Sequence, residues 1–175
     1  MGNNEMKKCN DQLIKLSEIS DLCHSLNINL WLRGGWAIDF LIGRISRAHE
    51  DIDLVIWARD KMILEKELDK MGFMRNAVSE RQTDFSKDGV DVQFLYLTQV
   101  ENGTIFPLGL PQWVWRADAM PTKLFHLNDI SLYVLHPNQL LEEKHVYQQI
   151  GRKPRTKDIE SINLLRAIID STFYD

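Results

Sequence analysis

Arg33-Gly34-Gly35-Trp36-Ala37-Ile38-Asp39, followed across a polar loop by Arg47, His49, Glu50, Asp51, Ile52 and Asp53, is the stretch that decides the reading of this chain. The short apolar run Leu30 to Leu32 precedes it as a strand, and Trp36 to Ile42 continues it as a buried helix that Gly43 closes. Two glycines between a strand and a helix let the backbone approach a phosphate closely, and the helix start offers free N–H groups and a positive dipole. The same pair also suits a tight turn with no ligand. After the loop, Ile52, Leu54, Val55 and Ile56 form a β-branched run expected as a central strand. Residues two apart on a strand share a face, so Asp51 and Asp53 stand side by side, roughly 6–7 Å apart at their Cα atoms. Adjacent carboxylates repel unless a cation lies between them, and hard oxygen ligands favour Mg²⁺ bound together with phosphates. A solvated pair at a loop boundary is the alternative.

A third acid, Asp91, lies in Val90-Asp91-Val92-Gln93-Phe94, where the apolar residues alternate onto one face and leave Asp91 and Gln93 on the other. A carboxylate in an apolar strand is costly to bury unless it is paired or metal-bound; an edge strand facing water would also tolerate it.

Outward from this centre the chain has a regular texture. An amphipathic helix is expected over Asp11 to Leu26, another over Lys61 to Met71 with Gly72 as its stop, and strands over Phe73 to Ala77, Arg81 to Phe85 and Val90 to Leu97. Lys87-Asp88-Gly89 signals a hairpin, and Asn128-Asp129 joins a second one between Phe125–Leu127 and Ile130–Leu135. Thr98 to Pro121, rich in Gly, Pro and Trp, reads as an excursion over one face and as the place to look for substrate specificity. Within it Trp113 and Trp115 make either a stacking wall or, preferably, a hydrophobic lid. Helices over Pro137 to Ile150 and Lys157 to Ser171 end the chain, so a core over residues 1–136 carrying a helical part over 137–175 is expected as one compact unit.

The 175 residues carry 21 Lys+Arg against 25 Asp+Glu, a net charge of -4. That balance disfavours a nucleic-acid binder working through bulk charge, so an anionic ligand must be met by a local basic cluster. Lys144, Arg152, Lys153, Arg155 and Lys157 supply one, with Lys144 projecting from the penultimate helix and Arg155 and Lys157 at the start of the last, a position favourable to anions. Asp158 suits a cap on the last helix. Glu101, Asp118 and Glu142 are candidates for steering a cationic substrate. Cys9 and Cys23 are too few and too poorly spaced for a zinc site and read as reduced thiols, with Cys23 facing the core. No apolar run follows Lys7 and Lys8, and none approaches the ~18 residues of a membrane span, so a cytoplasmic protein is expected.

The wording Gly-Gly-Trp-Ala-Ile-Asp, a gap, Arg-x-His-Glu-Asp-Ile-Asp and then a lone Asp on a later strand resembles the small antibiotic nucleotidyltransferases, in particular the aminoglycoside 2''-adenylyltransferase family, with the lincosamide nucleotidyltransferases similar through the same segment. The resemblance is specific from Leu30 to Leu54, looser at Asp91, Lys144 and Thr156 to Ser161, and absent from Thr98 to Pro121. It implies an α+β fold: a polymerase-β-like nucleotidyltransferase core, a short mixed sheet with helices, closed by C-terminal helices. It implies that Asp51 and Asp53 ligate Mg²⁺, that Gly34 and Gly35 hold the triphosphate of ATP, and that Asp91 acts as general base and third candidate ligand. Arg47 and His49 would lie beside the metal, contacting phosphate or orienting the loop. Arg33 departs from the family pattern and is expected to pair with Glu50 or meet a phosphate. The implied partners are a nucleoside triphosphate and a small antibiotic, an aminoglycoside ahead of a lincosamide, in a monomer or homodimer. Nucleotidylation of a macromolecule, as in toxin–antitoxin relatives, and a non-catalytic Mg-ATP sensor remain as alternatives.

Overall fold

The computed structural model describes residues 1–151 and 153–171; Arg152 of the expected basic cluster lies outside them. Helix α1 (Asn3–Ser25) leads to strand β1 (Trp31–Arg33), helix α2 (Gly34–Ile42), β2 (Ile52–Trp57) and α3 (Lys61–Lys70). Then come β3 (Met74–Ser79), β4 (Gln82–Lys87), β5 (Val90–Gln99), β6 (Ile105–Pro107), β7 (Leu124–Leu127) and β8 (Ile130–Val134), followed by helices α4 (Pro137–Gln149) and α5 (Thr156–Asp170). The opening helix starts eight residues before its apolar period does, because Asn3 to Asn10 is largely solvent-facing and carries little amphipathic signal.

One mixed sheet runs in the order β3-β4-β5-β2-β1-β8-β7, with β6 added against β5. Two pairings are parallel, β2 with β5 and β1 with β8, and the others are antiparallel. Asp88 and Gly89 both take positive φ, 51° and 76°, which is the backbone of a two-residue hairpin turn matched to strand twist. That turn sets the register between β4 and β5: Lys87 opposite Val90, Ser86 opposite Asp91, Asp84 opposite Gln93. Lys15 of α1 clasps the turn through a 2.9 Å ion pair with Asp88.

In β2, Leu54, Val55 and Ile56 are all fully buried, as are Phe94 to Leu97 in β5, so both faces of the sheet are covered there. Strict alternation therefore fails beyond Leu54, since a sheet buried on both sides accepts a continuous apolar run. Only at the N-terminal ends of the parallel pair β2–β5 does one face stay polar, and that is where Asp51, Asp53, Asp91 and Gln93 fall. Asp91 is exposed although β5 is central in the sheet, so its exposure comes from its position at the strand's start, not from an edge. The C-terminal helices pack on each other and α5 packs on α2, which brings this helical pair over the Gly34-Gly35 turn. No helix among the described residues is long and apolar enough to cross a membrane.

Candidate active site

The turn from β1 into α2 is built around contacts that exclude side chains. Gly34 has φ of +69°, and a Cβ there would collide with the Asp53 carboxylate; a Cβ on Gly35 would collide with the His49 ring and the Arg47 guanidinium. No side chain caps the start of α2, so its first N–H groups are left for a ligand. The loop that follows α2 is fixed from below. Asp39, fully buried on α2, takes His49 Nε2 at 2.6 Å on one oxygen, and on the other the backbone N–H and hydroxyl of Ser46. Gln12 of α1 donates to the His49 carbonyl at 3.0 Å and accepts from Trp36 Nε1, whose ring lies 4.7 Å from the imidazole. His49 is thus a buried loop anchor, held by its bonds to Asp39 and Gln12 and by its ring contact with Trp36. A buried Asp on a helix face otherwise apolar was the available signal.

Over this turn lies a cavity of about 270 Å³ lined by Gly34, Gly35, Asp51 and Asp53 on the core side, and by Leu140, Glu143, Lys144, Arg155, Lys157 and Leu165 from the C-terminal helices. Arg33, Arg47 and His49 complete it. The cations are engaged by nearby acceptors: Arg33 Nε with Glu143 at 2.9 Å, Lys144 with Asp158 at 3.2 Å, Arg155 with the same Asp158 at 3.1 Å, and Lys157 with Glu50 at 3.5 Å. Arg33 therefore pairs with Glu143 and not with Glu50, because β1 runs its side chain toward α4 while Glu50 is met by α5. Asp158 caps α5 as its position suggested, accepting the Arg155 N–H at 3.1 Å. Burial alone would raise its carboxyl, but Arg155 and Lys144 overcome that and hold it well below the usual carboxylate range.

The two acids of Asp-x-Asp behave in the opposite way. Burial, then the charges of Asp53 and Glu50, push the Asp51 carboxyl up to about 6 despite Lys157, and Asp91 adds to the same effect. Burial likewise raises Asp53, with Arg33 opposing. A pair of carboxylates that the fold makes reluctant to ionise is one that a divalent cation would relieve, and oxygen donors of this kind suit Mg²⁺. Among the described residues no group of three His, Cys, Asp or Glu side chains is placed to hold a metal ion.

Asp91 lines a second cavity, of about 310 Å³, together with Asp51, Asp84, Asn76, Ser86 and Gln93, and with Met74, Phe85 and Val92. No lysine or arginine lines it among the described residues. Asp84 was not singled out from sequence, although Gln82, Asp84 and Ser86 alternate and the hairpin turn fixes Asp84 opposite Gln93. Asp51 and Gln93 border both cavities, and Gln93 Nε2 donates to Asp51 Oδ2 at 3.2 Å.

The excursion from Thr98 to Pro121 lines neither cavity. It leaves the C-terminal end of β5, whereas the site lies at the N-terminal ends of β2 and β5. Its Trp115 is buried, bridges to Ile105 and meets Trp113 edge-on at 5.7 Å, which makes the pair a hydrophobic lid. Asp118 and Glu142, expected to steer a cation, are neutralised by Arg116 at 2.8 and 3.3 Å.

A mixed sheet with Asp-x-Asp entering a central strand, opposed by a Gly-Gly helix start, defines a nucleotidyltransferase fold. Residues 15–165 match the family described as aminoglycoside-2''-adenylyltransferase, and the chain belongs to it. A 2''-aminoglycoside nucleotidyltransferase of Klebsiella pneumoniae is 36% identical over 61 residues, covering 35% of this chain and 34% of that protein. A lincosamide resistance protein of Staphylococcus haemolyticus is 34% identical over 68 residues, 39% of this chain and 42% of that one. The matched stretch thus spans about a third of the length of the 2''-aminoglycoside relatives. Among solved structures, the crystal structure of ANT(2")-Ia in complex with adenylyl-2"-tobramycin superposes with a TM-score of 0.78 at 18% identity, over 91% of this chain and 90% of that one. The lincomycin-bound lincosamide antibiotic adenylyltransferase LnuA gives 0.70 at 20%, over 87% and 95%. At those identities the likeness is one of fold.

Proposed function

We propose that this chain transfers the adenylyl group of ATP to a hydroxyl of an aminoglycoside, with Mg²⁺ held by Asp51 and Asp53. The observation that carries the reading is the meeting, at Asp51, of two cavities of opposite character. One offers cations and helix N–H groups to a triphosphate; the other offers Asp84 and Asp91, with no cation, to a substrate bearing ammonium groups. The family and the fold of the chain support the same chemistry.

In this mechanism Gly34 and Gly35 admit the phosphates to the start of α2, and Lys144, Arg155 and Lys157 exchange their carboxylate partners for phosphate oxygens. Asp51 and Asp53 would hold Mg²⁺, which would supply charge neutralisation at the reacting phosphate. The acceptor hydroxyl, placed in the acidic cavity, gives its proton to Asp91 as its oxygen bonds to the α-phosphorus. The bond from that phosphorus to the bridging oxygen breaks in line, and pyrophosphate departs toward the basic wall. Arg47 and His49 keep the loop before Asp51 in place, His49 through Asp39 and Gln12.

The test is pyrophosphate release from Mg-ATP against a panel of aminoglycosides and lincosamides, with Asp53→Ala in parallel. Release with aminoglycosides, lost in the variant, is expected. Release with lincosamides alone would move the acceptor to that class, and no release with either would sink the antibiotic reading.

A further inference from the structure

Gln93 stands where two rows of strand partners cross. In β5 it is directly opposite Asp53 of β2 and Asp84 of β4, so three neighbouring strands present Asp, Gln and Asp side by side on one face. It is the neutral member of that row, borders both cavities, and donates from Nε2 to Asp51 Oδ2 at 3.2 Å. A carboxylate in its place would set a further negative charge against acids whose ionisation is already opposed by one another. An apolar side chain would leave the half-buried Asp51 carboxylate without this donor.

We infer that Gln93 is a positioning residue for Asp51: its amide occupies one carboxylate oxygen and thereby fixes the carboxylate's orientation, leaving the other oxygen for the cation. The amide does this without adding charge, which lets the cation neutralise the Asp51–Asp53 pair and not a larger acidic group. Partners of this kind behind a metal ligand alter affinity by about 10–100-fold when removed. The inference rests on the reading of Asp51 and Asp53 as the Mg²⁺ ligands, and it concerns how one of them is held.

Gln93→Met keeps the length of the side chain and removes the donor. Calorimetric titration of the full chain with Mg²⁺, without nucleotide or acceptor, is expected to show binding weakened about tenfold. In turnover, kcat should fall while the acceptor KM stays within about twofold, because the positioning acts on the reacting phosphate and not on acceptor binding. Unchanged Mg²⁺ affinity would overturn the inference, and so would an effect confined to the acceptor KM, which would make Gln93 an acceptor contact. Should the Met variant fail to fold, Gln93→Leu removes the donor in a smaller side chain. It is then expected to weaken Mg²⁺ binding about tenfold and to lower kcat, and unaltered Mg²⁺ affinity would overturn the inference. Mg²⁺ binding by the unaltered chain with no turnover of any drug removes the acceptor assignment and leaves Gln93 to be judged by titration. An unaltered chain that binds no Mg²⁺ overturns both.

Discussion

The basic and acidic halves of the cleft are built in different ways. The acidic half is made within one continuous run of sheet, β2 to β5, where a two-residue turn and strand register place Asp84, Asp91 and Gln93. The basic half is assembled from ends of the chain far apart in sequence, and its firmest tie, Arg33 to Glu143, joins partners 110 residues apart. Half a cleft set by register tolerates single substitutions as local losses of charge. Half a cleft set by long-range ion pairs loses geometry as well as charge when one partner goes.

The most severe way to test this division is Asp53→Asn, on the basic side of the Asp51 junction. Activity should fall about 10³-fold or more, since on the proposed reading that carboxylate and Asp51 hold the cation between the two halves. Because burial raises the Asp53 carboxyl, the variant should also melt no lower than the parent without Mg²⁺ near neutral pH; a large drop would mean the acid is structurally required. Next comes Lys144→Ala, which should weaken ATP binding about tenfold or more while leaving acceptor binding unaltered, as measured by calorimetry. A matching loss on the acceptor side would erase the distinction between the halves. Asp84→Asn should do the reverse, raising KM about 3–10-fold for a polycationic acceptor and sparing the affinity for ATP. The smallest effect is a pH dependence. Asp51 has a folded value of about 6 against an ordinary 3.8, so in the metal-free chain its contribution favours folding most below that ordinary value and fades as pH rises through 6. Mg²⁺ requires the ionised form. The rise in Tm that Mg²⁺ gives should therefore grow through about pH 6 and be small at about pH 5; a rise independent of pH would place the cation elsewhere.

The sequence carried the acidic half further than the basic one for the same reason. Asp51, Asp53 and Asp91 stand out because strand alternation and a hairpin turn are short-range signals, and the register that adds Asp84 follows from the same turn. Lys144 and Lys157 could be picked out as charges, but not that Asp158 binds Lys144 while Glu50 takes Lys157, since nothing local encodes which helix covers which loop. His49 shows the same limit. Its place in the motif suits a phosphate contact or a loop-orienting role equally, while its bonds to Asp39 and Gln12 depend on how α1 and α2 pack beneath the loop. The excursion resembles a specificity loop in its low periodicity, and the direction of β5 shows that it leaves from the end remote from the two cavities.

The 110-residue span between Arg33 and Glu143 also sets an order of events during synthesis. The strands that bear the acidic face are complete once Gln99 has been made, but the side chains that pair with Arg33 and Glu50 come only with Glu143 and Lys157. At ordinary elongation rates the growing chain spends roughly 3–12 s in that interval. For that time the nascent protein holds a cluster of buried-prone carboxylates with only Arg33 and Arg47 of the basic wall beside it.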